Sequence, residues 1–347
     1  MSYHVGADRH GRSLTLERAL HRYVETFRCE LGFYVQHLET NEAFGYNADR
    51  QFRTASVFKI AVLLEVFRQE DAGRFDLNDT VPVTSEAVRP GSGVLQYLNS
   101  VVALSIRDLA VLMIVISDNT ATEVLLRKVG MEGVNATLRE LGLTQTRVTP
   151  PWRECVSTPQ ETARLLELIY RDRAAGPAAC AAMADILTRQ QLNDRIPLLL
   201  PSLQVAHKTG DLPGIVNDAG IVYSSSGSYL FVCFTGGVAG EALVRWKMAR
   251  LSRAVFDYFS LPAVGTGRGE RAAGACLSQG WSLLSDQQWE DAVERFWWSL
   301  RCPGGAVTRT LTLLGIGAAL SHTDVQWWRR TAPARLLERF TTQRVRR

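Results

Sequence analysis

Apolar positions along the chain follow two periods, and each predicts its own elements. Over Ser56–Gln69, the residues Ile60, Ala61, Leu63, Leu64 and Phe67 recur at three- and four-residue steps, which predicts a helix with an apolar stripe. Residues 13–28 predict an amphipathic helix. Leu31–Leu38 and Ala43–Tyr46 predict a hairpin turned at Glu39-Thr40-Asn41-Glu42. The stretch 70–190 reads as mostly helical, with helices at Ile106–Ile116, Thr120–Val129, Gly133–Leu141, Pro159–Arg171 and Pro177–Arg189. Pro177 suits a first helical position, where its missing N–H costs nothing. Strand pattern returns at Gln204–His207, Ile215–Tyr223 and Ser228–Gly236, and a helix is expected over Glu241–Phe259. Strands thus flank a helical insert. The economical packing is a sheet built from distant segments beside an all-helical lobe, an α+β fold.

Composition narrows the class. The chain has 347 residues, 46% hydrophobic and 21% charged, which are globular values and exclude a disordered or fibrous chain. A net charge of +4 is too mild to predict a nucleic-acid partner. Only four residues are Lys: Lys59, Lys128, Lys208 and Lys247. The six Cys form no C-x-x-C pair and match no metal spacing, so no metal and no cofactor are expected. The first 30 residues carry charges throughout and lack the apolar run of a signal peptide. Ala110–Ile116 and Leu311–Leu320 are too short to span a bilayer. As written the chain reads as cytoplasmic, or as periplasmic or extracellular if its true N-terminus lies upstream.

Three short motifs carry the chemistry. Ser56-Val57-Phe58-Lys59 is S-x-x-K, Ser117-Asp118-Asn119 is S-D-N, and Lys208-Thr209-Gly210 is K-T-G. S-x-x-K alone is weak; all three in this order, each in a fitting context, are specific. Ser56 is expected to open a helix, and residues three apart share a face, so the Lys59 amine is expected to reach the Ser56 hydroxyl. The helix start offers N–H groups to developing negative charge. Ser117-Asp118-Asn119 falls between two helices. Lys208-Thr209-Gly210 is expected to end a strand that begins at Gln204.

On these motifs the chain resembles the class A serine β-lactamases and the penicillin-binding proteins. The resemblance runs from about residue 30 to 260 and includes Pro90-Gly91-Ser92-Gly93-Val94-Leu95, Ser157-Thr158-Pro159 and Asn217-Asp218-Ala219-Gly220. It implies a five-stranded antiparallel sheet flanked by helices, plus an all-α lobe, with the site between them. It implies Ser56 as the acylated nucleophile and Lys59 as its base, the amine kept neutral by a nearby cation, Lys208. Ser117 would relay a proton to the leaving nitrogen. Asn119 would hold the substrate amide. Lys208 and Thr209, beside Gly210, would hold its carboxylate, and the backbone N–H groups of Ser56 and Asp211 would form the oxyanion hole. Asp118 is expected to pin its loop, and His207 to pack without a partner.

One part of the family pattern is missing. Class A enzymes deacylate with a glutamate in a Glu-x-x-Leu-Asn setting on a long Ω-loop. Here Thr146–Val156 runs straight into Ser157-Thr158-Pro159, and Glu154 is its only carboxylate. Glu154 is therefore the one candidate deacylation base, and a solvated loop charge is the simpler expectation for it. The function expected is a serine hydrolase acylated on Ser56 by β-lactams, with deacylation in doubt. The alternatives are a D-Ala-D-Ala carboxypeptidase or esterase, and a penicillin-binding receptor or scaffold acylated once without turnover.

A different composition begins after residue 261. Pro262–Gly274 reads as a linker, and 275–347 as a helical extension to the catalytic domain of residues 1–261. Six of the eight Trp lie beyond residue 275. Trp289, Ala292 and Phe296 resemble one tetratricopeptide helix pair, and a single repeat cannot bury its own face. These helices are expected to pack on the catalytic domain or on a protein partner. Residues 262–347 hold twelve Arg and seven acidic residues, so the positive charge sits there.

Overall fold

The computed structural model describes residues 27–98 and 102–260. The helix expected at 13–28, the linker at 262–274 and the extension at 275–347 lie wholly or almost wholly outside them. The described residues form nine strands and seven α-helices, an α+β fold.

The central sheet has the order β2-β1-β9-β8-β7, every pair antiparallel. Its strands are β1 (Glu30–His37), β2 (Ala43–Tyr46), β7 (Gln204–Leu212), β8 (Ile215–Tyr223) and β9 (Tyr229–Gly236). First and last segments thus pair as β1 and β9, with Phe33 opposite Cys233. Both faces of the sheet are covered. Along β9, Leu230, Val232 and Phe234 pack into one core, while Tyr229, Phe231 and Cys233 pack into the other. This two-residue alternation between two buried faces is why β9 reads as an unbroken apolar run.

The helices are α1 (Lys59–Asp71), α2 (Ile106–Val115), α3 (Asn119–Val129), α4 (Met131–Glu140), α5 (Pro159–Tyr170), α6 (Pro177–Thr188) and α7 (Glu241–Ser260). Helix α1 is buried nearly all round, from Lys59 to Phe67 without a break, so it is the axis of the larger core. Its one internal carboxylate, Glu65, accepts from Gln69 Nε2 at 2.7 Å and Thr137 Oγ1 at 2.5 Å. Helix α7 covers the opposite sheet face through Val244, Met248, Leu251 and Val255.

Several expectations need correction. The insert is not all-helical: β4 (Thr80–Val83) and β5 (Val102–Ser105) pair within it. Four-residue strands show too little alternation to read, and Pro82 argues against a strand. Two further short strands, β3 (Phe52–Arg53) and β6 (Val156–Ser157), also pair. The K-T-G motif does not end its strand, because β7 runs on through Leu212. Ser56 opens a 3-10 turn, Ala55–Phe58, and the α-helix proper starts at Lys59.

Candidate active site

The turn carrying Ser56 is held in an unusual conformation. Ala55 has φ 47°, a left-handed value that a residue with a Cβ rarely adopts. The surroundings hold it there. Thr54 N–H donates to Cys155 O at 2.9 Å, and Asn217 Nδ2 donates to Arg53 O at 2.9 Å, so the residue just before β6 and strand β8 clamp the approach to the turn. In a 3-10 turn, residues three apart eclipse, which sets Lys59 directly beneath Ser56.

Strand β7 presses on the same turn. A Cβ on Gly210 would lie 2.6 Å from Thr54 O and 3.1 Å from Ser56 N. No side chain fits, and this close approach brings the backbone just before Asp211 N against Ser56 N. The two N–H groups expected to form the oxyanion hole therefore belong to segments in direct contact.

Lys59 is fully buried and has three acceptors: Ser117 O at 2.7 Å, Ser117 Oγ at 3.0 Å and Asn119 Oδ1 at 2.9 Å. Ser56 Oγ is not among them. Ser117 shows both its oxygens to the amine because its own φ is 58°, again left-handed. Burial, first, and then the charge of Lys208 hold the Lys59 amine well below its ordinary range. Lys208 was expected to supply this effect. It contributes, but desolvation is the larger cause. Lys208 is itself fully buried, donates to Thr209 O at 2.9 Å, and is lowered by burial to about 7. Thr209 Oγ1 is buried without a hydrogen-bond partner.

Asp118 pins its loop as expected. Its carboxylate accepts from Val94 N at 2.7 Å, Leu95 N at 3.0 Å and Ala121 N at 2.9 Å, so it caps α3 and fixes the 90–95 loop at once. Gly93, at φ 102°, passes so close to Asp118 that a Cβ would collide with it. Asn119 Nδ2 donates to Pro90 O at 2.9 Å, tying the same loop to Lys59.

The segment expected to replace the Ω-loop is short and closed at its neck. Arg147 and Val156 form a bridge, and Thr146 Oγ1 reaches Ser157 Oγ at 2.7 Å and Glu161 Oε2 at 2.6 Å. Cys155 Sγ lies 3.4 Å from both Thr149 N and Thr149 O, filling the loop's interior. Trp152 packs against Phe58, two residues after the nucleophile, with ring centroids 5.9 Å apart and the planes tilted by 51°. Glu154 does not join the site's hydrogen bonds. Its side chain is 53% exposed, and its carboxylate lies 3.7 Å from Arg153 Nε.

Sequence reading missed a second buried polar group behind β7. His207, expected to lack a partner, has two: Asp218 Oδ1 at 2.9 Å from Nδ1 and Asn193 Oδ1 at 3.0 Å from Nε2. Arg195, 1% exposed, donates to Asn217 O at 2.6 Å and to both oxygens of Asp211 at 2.6 and 2.7 Å. The signal for Arg195 was faint, one more Arg in an arginine-rich chain.

A family model described as "Beta-lactamase enzyme family" matches residues 15–259. The chain belongs to this family. Its activity is therefore that of a serine hydrolase. Among solved structures it is similar to a beta-lactamase from Sphaerobacter thermophilus, with 30% identity and a TM-score of 0.68, covering 72% of this chain and 99% of that one. It is also similar to PBP-A, with 26% identity and a TM-score of 0.67, covering 71% and 96%. An ancestral class A β-lactamase at 22% identity and a TM-score of 0.66, covering 70% and 99%, shares the fold. No curated protein matches the chain. No helix among the described residues is long and apolar enough to cross a membrane, and among them no cluster of His, Cys, Asp and Glu is arranged to hold a metal ion.

Proposed function

We propose that this β-lactamase-family chain forms an acyl-enzyme on Ser56 with β-lactams and releases it slowly. The observation that carries this reading is the buried Lys59 amine, with Ser56 one turn ahead of it and Ser117 and Asn119 gathered on it. A free Ser hydroxyl is a poor nucleophile and needs a base in reach. A Lys amine held well below its ordinary range is that base at neutral pH.

The step balances within these residues. The Ser56 Oγ–carbonyl bond forms as Oγ gives its proton to neutral Lys59. The developing oxyanion accepts from the N–H groups of Ser56 and Asp211. The amide C–N bond then breaks, and the proton passes from Lys59 through Ser117 Oγ to the leaving nitrogen. Lys208 and the free Thr209 hydroxyl hold a carboxylate of the donor, and Asn119 holds its amide.

Deacylation needs a water activated by a base. Glu154, half exposed beside Arg153, offers none at Lys59. This placement favours the penicillin-binding side of the family, in which the acyl-enzyme persists. One solved structure of a PBP-A variant is an acyl-enzyme complex with penicillin G. D-alanyl peptides and small esters are the alternative donors, acting through the same Ser56.

The test is a chromogenic cephalosporin followed for turnover, with intact protein mass in parallel. The expected result is one stoichiometric burst, one adduct per chain, and turnover far slower than acylation. Fast multiple turnover without an accumulating adduct contradicts slow release. Absence of any adduct and any turnover contradicts the nucleophile.

A further inference from the structure

A series of hydroxyls at the neck of the 146–156 loop ends on a carboxylate that the reaction above does not use. Glu161 is the third residue of α5, whose N-cap Thr158 accepts from Glu161 N at 3.0 Å. A Glu at that position commonly turns back to the N–H of the cap residue. Here its carboxylate reaches across to the loop instead, accepting from Gln145 N at 3.0 and 3.1 Å and from Thr146 Oγ1 at 2.6 Å. Ser157 Oγ lies 2.7 Å from Thr146 Oγ1 and 2.8 Å from Thr162 Oγ1, and both Ser157 and Thr162 are buried. The anion sets the sense of these bonds. An ionised carboxylate only accepts, so it takes the single Thr146 hydroxyl proton; Ser157 then donates to Thr146, and Thr162 to Ser157. Three protons point one way, and hydrogen bonds in such a series strengthen one another. Ser157 is also the partner of Phe52 where β6 pairs with β3. Strand β3 runs directly into the turn that carries Ser56. Two residues before Ser157, the Cys155 carbonyl accepts from Thr54 N at 2.9 Å and from Thr54 Oγ1 at 3.2 Å.

We propose that Glu161 is a positioning residue for the nucleophile: its carboxylate orders the hydroxyl series that seats β6 against β3, and this pairing fixes the turn that presents Ser56. Ala55 needs that support, because its left-handed φ of 47° persists only while Thr54 and Arg53 are gripped from outside. Phe52 gives β3 a single seat, since its ring lies where a Cβ on Gly32 would be. Without the charge the series has no fixed sense. Ser157 Oγ has Thr158 O at 3.2 Å as another acceptor, and a Gln at 161 would set an amide donor against the Gln145 N–H or the Thr146 hydroxyl. The donor-holding residues Asn119, Lys208 and Thr209 stand on α3 and β7, outside this series. The inference rests on acylation of Ser56, and its test separates the two.

The test follows acylation of the full chain by benzylpenicillin over a range of concentrations, read from intact mass after quenched flow, so that donor binding and the acylation rate constant are obtained separately. Glu161→Gln keeps the shape and removes the charge. Thr146→Val keeps the shape and cuts the series at its start. In both, the acylation rate constant should fall about tenfold, a fraction of the roughly 100-fold that a 1 Å misplacement costs, while donor binding stays within about twofold of the parent. The final adduct per folded chain should match the parent, since a loss of folded protein lowers that amplitude and not the rate constant. Thr158→Ala removes the cap of the same helix but leaves the series whole, and its rate constant should stay within about twofold of the parent. Hydrogen–deuterium exchange of the segment 52–58, with no donor present, should be about tenfold faster in Glu161→Gln, with the interior of α1 unchanged. Rate constants within about threefold of the parent in both Glu161→Gln and Thr146→Val, or unchanged exchange at 52–58, overturn the positioning role. An equal fall in Thr158→Ala also overturns it, because a loosened α5 then explains the effect. If benzylpenicillin does not acylate the parent, the acylation reading fails, and the exchange at 52–58 alone decides whether Glu161 holds the turn.

Discussion

Gly210→Ala perturbs the contact on which the oxyanion hole depends. The new Cβ would sit 2.6 Å from Thr54 O and 3.1 Å from both Ala55 Cβ and Ser56 N. An ordinary carbon–oxygen contact is about 3.3 Å, so the strand must retreat by about 0.7 Å. Thr54 cannot yield, since its N–H is held by Cys155 O, just before β6, at 2.9 Å. The whole movement falls on β7, and Asp211 N moves with it. Losing one oxyanion donor costs about 100-fold or more in rate, near 3 kcal/mol. Acylation of Ser56 by a chromogenic cephalosporin, measured by stopped flow, should therefore fall about 100-fold. Overpacking should also lower stability by about 1–3 kcal/mol, a Tm loss of several degrees. Gly240→Ala, where a Cβ meets nothing within 4 Å, is the control and should match the parent. A Gly210→Ala chain that acylates within about threefold of the parent would refute the view that this contact sets the oxyanion position.

Other expectations concern charge. Lys208 is lowered to about 7 from an ordinary 10.5, so between these values the unfolded chain holds the proton more tightly than the folded one. Stability from this group therefore rises as pH rises from about 7 to about 10.5, and Lys208→Met should lose that rise when urea midpoints are compared with the parent at each pH. The same variant removes a cation that lowers Lys59, so the ascending limb of acylation against pH should move to higher pH. Asp118→Ala strips three N–H groups of a buried carboxylate and should cost about 3 kcal/mol by thermal melting. Glu154→Gln should leave the acyl-enzyme lifetime within about twofold of the parent by mass spectrometry, because the exposed carboxylate lies outside the site.

Much of this was legible in the sequence because the long elements follow their periods and the motifs are local. The ends of α2, α5 and α6 fall within one residue of their apolar patterns, and Ser56, Lys59 and Ser117 were named from adjacent letters. The sheet's β1–β9 pairing was legible only as strand pattern at both ends, since register is set by contacts far apart in sequence. The 3-10 turn at Ser56 was not legible, because it depends on Ala55 being held at a left-handed φ by contacts from Cys155 and β8, far away in sequence. The pairs His207–Asp218 and Arg195–Asp211 were hidden for a related reason. His207 and Asp218 meet across the paired strands β7 and β8, and Arg195 meets Asp211 only when the loop after α6 folds back onto β7. Glu154 shows the converse. It is the only carboxylate of its loop, which made it the one candidate base, but its side chain is half exposed and lies against Arg153.

The most direct measurement of the account is peptide mapping after incubation with benzylpenicillin, on the parent and on Ser56→Ala. The account predicts a single penicilloyl group on the peptide containing Ser56 in the parent and no adduct in the variant. An adduct on another residue, or equal labelling of the two chains, would contradict it.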